Sequence, residues 1–194
     1  MTILAALLVT IALNAVGLGL LTIASTETTI AMNHREAAEL IYAADAAAET
    51  AAAEVLRAAT WSGVLSGAIP SAFRDTTMTP RLASGETLDI NAETTLMQAK
   101  SDAEARRGAN NPRWRLFLFQ PLAAIARDAS VREYVLAWVA DDPSETDDDP
   151  LMDANGRVVI RARAVGRFGL HRTVDMTIGV QSLGVGILSW REVR

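Results

Sequence analysis

The first 26 residues, MTILAALLVTIALNAVGLGLLTIAST, carry no charged side chain, and all 18 Lys and Arg and all 23 Asp and Glu of the 194-residue chain come after them. Read as a helix at about 1.5 Å per residue, Met1 to Ala24 extends roughly 36 Å. A bilayer core is about 30 Å thick, so the run is long enough to cross one. Asn14 is the strongly polar side chain near its middle, and an amide in hydrocarbon is costly unless it finds a partner. Gly17 and Gly19 follow, each weakening a helix by about 1 kcal/mol relative to alanine.

A cleaved signal peptide is the plain reading of such a run. The pattern opposes it. No Lys or Arg occurs before Arg35, so there is no positive n-region, and the apolar stretch outruns the usual h-region of about 7–15 residues. A membrane anchor fits better, although the positive-inside cluster expected at its N-terminal flank is missing. Met1 is therefore read as the first residue of a processed chain whose short basic leader has been removed; the alternative is an initiator methionine.

No Pro or Gly interrupts Glu27 to Ala59, which is dominated by alanine, glutamate and other good helix formers. Ile30, His34, Ala37, Ile41, Ala44, Ala48, Ala52, Val55 and Ala59 recur at spacings of three and four, one face of a helix. Arg35, Glu36, Glu39, Asp45, Glu49, Glu54 and Arg57 fill the rest. Residues 1–59 are thus expected to form one helix, apolar then amphipathic and roughly 88 Å long. Residues 60–194 are expected to form a globular head.

After Thr60 the texture changes. Trp61 to Arg81 is rich in Gly, Ser, Thr and Pro and reads as loop. Asn91 is expected to cap a short helix closed by Gly108. Trp114 to Phe119 (WRLFLF) reads as a strand or core segment, and Pro121 to Ala126 stays ambiguous. Strands are expected over Glu133–Ala140, Arg157–Arg167, Leu170–Gln181 and Gly186–Val193. In the second, Val158, Ile160, Ala162 and Ala164 alternate with Val159, Arg161, Arg163 and Val165. The short connections at Asn155-Gly156, Phe168-Gly169 and Leu183-Gly184 favour an antiparallel meander. Such a sheet has one face to bury, and the amphipathic half of the long helix is the available cover. The expected fold class is α+β: a long N-terminal helix packed on an antiparallel sheet head.

The apolar stretch LAALLVTIALNAVGLGLLTIAST, followed by Glu27-Thr28-Thr29, Met32-Asn33-His34-Arg35 and Tyr42-Ala43-Ala44-Asp45-Ala46-Ala47, resembles type IV pilin-like proteins, closest to the PilX-type minor pilins and pilus assembly proteins. The C-terminal stretch from Asp153 and the ending Leu188-Ser189-Trp190-Arg191-Glu192 resemble them more loosely. The resemblance implies a structural subunit of a bacterial type IV pilus or pseudopilus. Its partners would be other pilin subunits. It would sit in the inner membrane before assembly and on the cell surface afterwards, with adhesion among the family's roles and methylation at a processed Met1. The assembly helix would use Leu4, Leu7, Leu8, Ile11, Leu13, Val16, Leu18 and Leu20. Filament-propagating pilins carry Glu at the fifth mature position and a proline farther along the helix; here Ala5 and Thr22 stand at those places. That departure fits a minor, tip or initiating subunit, with a main shaft subunit as the alternative.

Other chemistry is sparse. Asp147, Asp148, Asp149, Asp153 and Asn155 in the acidic segment DDPSETDDDPLMDAN offer oxygen ligands suited to Ca²⁺. Asp153-Ala154-Asn155-Gly156 matches part of an EF-hand loop, but the closing Glu is missing; a solvated loop is the alternative. No G-x-S-x-G, H-E-x-x-H or P-loop pattern occurs, and neither His34 nor His171 has a nucleophile at motif spacing, so no enzyme is expected. A net charge of −5 argues against nonspecific nucleic-acid binding. With no cysteine, disulfides and thiolate metal sites are excluded. Arg157, Arg161, Arg163, Arg167 and Arg172 read as a solvated strand face paired with Asp147–Asp149 of neighbours. Trp61, Trp114 and Trp138 read as core and Trp190 as an interface residue. The competing functional reading is a membrane-tethered periplasmic binding module, calcium-dependent in one form, that does not polymerise.

Overall fold

The computed structural model describes residues 2–104, 110–181 and 184–193. The chain divides into two units after Ala38. The first is the leading part of α1 (Thr2–Arg57), and the head starts at Glu39, so the last third of the long helix belongs to it. In the leading part, the hydroxyls of Thr10, Thr22, Thr26, Thr28 and Thr29 each donate to the carbonyl four residues back. These polar groups are satisfied within the helix itself.

From Leu40 onward one face of α1 is buried: Leu40, Ala43, Ala44, Ala47, Ala48, Ala51, Ala52 and Val55. They form one core with Val135, Ala137 and Val139, with Val158, Ile160, Ala162 and Ala164, and with Val174, Met176 and Ile178. This stripe corrects the expected one. Ala44, Ala48, Ala52 and Val55 are on it, whereas Ile30, His34 and Ala59 are exposed. The covered face turns where the sheet begins to screen it, and only pairs such as Ala43-Ala44 and Ala47-Ala48 are small enough to share one flat contact.

Trp61–Ser66 is a short helix, α2, where loop was expected. Thr60 caps it, accepting from the Gly63 N–H at 3.2 Å, and Gly67 ends it in the left-handed region at φ 83°. Both end signals are present, but their spacing is too short to stand out among the surrounding breakers. Glu54 of α1 then holds the following loop, accepting from the Ser71 hydroxyl and from the Ala72 N–H at 2.9 Å. The helix α3 (Ile90–Ala103) begins two positions earlier than expected, because Asp89 and not Asn91 caps it by accepting from the Ala92 N–H at 2.9 Å. Gly108 lies outside the described residues.

The sheet is a five-stranded antiparallel meander of β1 (Arg115–Pro121), β2 (Tyr134–Asp141), β3 (Arg157–Val165), β4 (His171–Gln181) and β5 (Gly184–Val193), in sequential order. A short helix, α4 (Leu122–Ala126), follows β1 and resolves the ambiguous segment. Leu183 lies outside the described residues. The sheet is covered on two faces, not one. Opposite α1, Ile90 and Met97 of α3, Leu82 and Leu88 pack with Trp114, Phe119, Leu136, Trp138 and Val165. All eight residues of β2 are buried as a result. Two indoles pin α3: Trp138 Nε1 donates to Thr94 Oγ1 at 2.9 Å and Trp114 Nε1 to Ser101 Oγ at 2.7 Å.

This second layer also redirects the arginines of β3. Arg161 makes a two-pronged ion pair with Asp175 at 2.7 and 2.8 Å and lies over the Trp114 ring. Arg163 pairs with Glu93 of α3, and Arg172 lies 3.7 Å from Glu192. Arg157 lies 3.8 Å from Asp142. The partners observed are thus Asp142, Asp175, Glu93 and Glu192 of the same chain, not the expected Asp147–Asp149 of neighbours, because α3 and the adjoining strands bring these carboxylates to the arginines. Trp190 is 46% exposed on β5, its Nε1 donating to Asp45 Oδ1 at 2.7 Å.

Because the α1 contact is made of alanines packed without exposure, enlarging one should overpack it. Ala48→Leu is expected to cost about 1–3 kcal/mol of head stability. The same change at the exposed Ala59 should stay within about 0.5 kcal/mol. Urea denaturation of the detergent-solubilised protein, followed by tryptophan fluorescence, measures both.

Candidate functional site

Two features stand apart from ordinary packing. The first is the leading part of α1. Leu4, Leu7, Leu8, Ile11, Leu13, Val16, Leu18 and Leu20 are all between 57% and 67% exposed. Between Thr2 and Ala31 every residue is exposed, on all sides of the helix. Soluble monomers rarely show contiguous apolar patches beyond a few hundred Å², and a helix apolar all round is ordinarily covered by protein or lipid. This stretch is long and apolar enough to span a membrane. Asn14 has no side-chain partner among the described residues, so its amide is available to a neighbour. Met1 lies outside the described residues.

The second feature is the end of β2 at Asp141 together with the loop that leads to β3, residues 142–156. It is held by its own acidic side chains. Asp142 accepts from the Ser144 N–H and from Asn155 Nδ2. The Glu145 carboxylate accepts from the backbone N–H groups of Ala154 at 3.1 Å and Asn155 at 2.8 Å, folding the loop back on itself. Asn110 Nδ2 donates to the Glu145 carbonyl. Asp153 Oδ1 accepts from Gly156 N at 2.7 Å and Arg157 N at 3.0 Å, shaping the turn into β3. Gly156 stands at φ 70°, where a Cβ would meet Val180 Cγ2 at 3.0 Å, which is why the turn ends in Asn-Gly.

Within this loop one carboxylate oxygen from each of Asp141, Glu145 and Asp147 converges, all within 4.8 Å of one another. Of the five ligands expected from sequence, this group holds Asp147. Asp148 is exposed at φ 60°, Asp149 Oδ1 accepts from Leu151 N at 3.1 Å, Asp153 supports the turn, and Asn155 turns its amide to Asp142. Asp141 and Glu145 were not singled out from sequence. Asp141 is the last residue of a buried strand, and only the fold-back of Glu145 onto Ala154 and Asn155 brings the three together. A signal was present in the spacing Asp141, Glu145, Asp147, but acidic loop residues at such spacings are common.

The electrostatics follow from the packing. Asp141 is buried at the strand end, and burial, then the charge of Glu145, push its carboxyl up from 3.8 to about 7. Burial also raises Glu145, against the pull of its two backbone N–H bonds. Tyr134, hydrogen-bonded to Asp75, is pushed well above its usual range, first by burial. The histidines are not drawn into either feature. His34 is exposed on α1, and His171 starts β4 with Nδ1 3.1 Å from the Gly169 carbonyl oxygen.

Comparison of the chain with protein-family models, with curated proteins and with solved structures found no match.

A carboxyl raised in the folded state binds more protons there than in the unfolded chain, so its contribution to stability is greatest when protonated. In chelator and without divalent cations, head stability is therefore expected to fall as pH rises from about 4 to about 7, the window between the ordinary and raised values of Asp141. Thermal melts across that range should show the slope. Asp141→Asn, which cannot ionise, should flatten it; an unchanged slope would place its origin elsewhere.

Proposed function

We propose that the chain is a structural subunit of a bacterial type IV pilus or pseudopilus, assembling through the apolar part of α1. The observation that carries this reading is the exposed, charge-free stretch from Thr2 onward, set on the same helix that covers the sheet of a folded head. Such a helix has two environments that suit it: lipid before assembly and the helices of neighbouring subunits afterwards. Between helices the hydrophobic drive of water is absent, so association rests on packing and on interhelical hydrogen bonds. Small residues (Ala5, Ala6, Ala12, Ala15, Gly17, Gly19) permit close approach, and Asn14 supplies an amide for the helix interface. The resemblance to PilX-type minor pilins agrees with this.

A second reading is a membrane-tethered binding module that never polymerises. The converging carboxylates of the β2–β3 loop favour it, since they belong to the head and ask nothing of the helix.

The two readings part at the helix. Moving from an aliphatic residue to Asp at the middle of a membrane helix costs about 3 kcal/mol on insertion scales. Leu8→Asp or Ile11→Asp is expected to reduce filaments carrying the subunit to the level of the deletion strain, with the circular dichroism of the head unchanged. Filaments of normal yield and composition from either variant would refute the pilus reading. Mass spectrometry of the N-terminal peptide separates the readings independently. A methylated Met1 supports prepilin processing; a formylated Met1 supports the tethered module.

A further inference from the structure

At the end of β2 stands a buried carboxylate with one oxygen that no hydrogen bond reaches among the described residues. Asp141 is only 3% exposed, and no donor among the described residues reaches its Oδ1. Buried polar atoms in folded proteins nearly always have partners, so an orphaned acceptor at a loop lined with further acids needs one. Two neighbours supply more oxygen and no proton donors. Glu145, 8% exposed, is fixed by its bonds to Ala154 N and Asn155 N. Asp147 is exposed and closes the group from the solvent side. Arg157 lies 3.8 Å from Asp142 Oδ2, and no ion pair to Asp141, Glu145 or Asp147 occurs among the described residues.

We propose that Asp141, Glu145 and Asp147 bind a single Ca²⁺ ion, which joins the end of β2 to the loop returning to β3. This does not rest on the pilus reading and concerns the head alone. The dimensions suit the ion. Ca²⁺ sits about 2.3–2.6 Å from its oxygens, so opposite ligands stand roughly 5 Å apart, and the three carboxylate oxygens lie within 4.8 Å of one another. Ca²⁺ takes six to eight oxygens in flexible geometry, so water and loop carbonyls complete the shell. Mg²⁺ requires near-ideal octahedral geometry at about 2.0–2.1 Å. Two of the three ligands are anchored, one in a strand and one by backbone N–H groups, which opposes that contraction. The site is unlike an EF-hand: its first ligand ends a strand, and the loop closes by Glu145 reaching forward to Ala154 and Asn155. Binding would also offset the burial and, after it, the like-charge crowding that raise Asp141.

The test uses the full-length protein in detergent, stripped with EDTA and titrated with CaCl₂ by calorimetry, with thermal melts in parallel. One site per chain and a raised Tm are expected, with MgCl₂ giving a weaker response at the same concentration. Asp141→Asn should abolish the calcium-dependent rise in Tm while leaving the calcium-free Tm at or above that of the parent protein. A residue with only a structural role would lower it. Asp147→Asn, exposed and so harmless to folding, should weaken binding by about tenfold or more, because ligand charge sets affinity in oxygen sites. Asp148→Asn should bind as the parent does. The proposal is overturned if no heat and no Tm shift appear up to about 10 mM Ca²⁺, well above the range of about 10⁻⁴–10⁻³ M of extracellular sites. It is equally overturned if both Asp141→Asn and Asp147→Asn respond to calcium like the parent.

Discussion

The head depends on one contact: the alanine face of α1, from Leu40 to Val55, against the aliphatic inner face of β2, β3 and β4. Every residue of that stripe is essentially excluded from water. Alanine loses no side-chain entropy on burial, and a run of it is also the strongest helix former. The same residues therefore stiffen the helix and let it lie flat on the sheet. The opposing β-branched residues supply most of the apolar area, about 1.5–3 kcal/mol for each fully buried Val or Ile.

With α1 on one side, the sheet still has an apolar second face near β1 and β2, where aromatics dominate. α3 covers it, and the two indole hydrogen bonds to Thr94 and Ser101 fix its position. β2, between β1 and β3, is buried along its whole length. The cover does not extend to β5, most of which is exposed. The arginines of β3 mediate between these regimes. Arg161 stacks over Trp114 while pairing with Asp175, and Arg191 reaches the same carboxylate at 2.8 Å. Both oxygens of this buried acid are thus paired, so the core holds no orphaned acceptor there.

The acidic loop is the opposite case. Its carboxylates gather with few cations among them, and burial, then the charge of Glu145, raise Asp141. Structural ion pairs on this protein satisfy their charges; this cluster, among the described residues, does not. The feature sits on the head, and the membrane-compatible helix segment sits apart from it in the chain.

Much of this was legible in the sequence. The charge-free run, the absence of Pro and Gly from Glu27 to Ala59, and the alternation in β3 and β4 are local patterns, and local patterns decide where helices and strands form. They established the long helix, the meander and the α+β class. They did not establish which face of α1 is covered, because Ile30 and Ala44 look alike until a sheet screens one of them. Nor did they show α2, whose cap and stop at Thr60 and Gly67 enclose too few residues to make a periodic signal, or the second layer over β2. The convergence of Asp141, Glu145 and Asp147 was out of reach for the same reason. It depends on Glu145 folding forward onto the backbone of Ala154 and Asn155, a contact between residues distant enough along the loop that only the paired strands β2 and β3 bring them together.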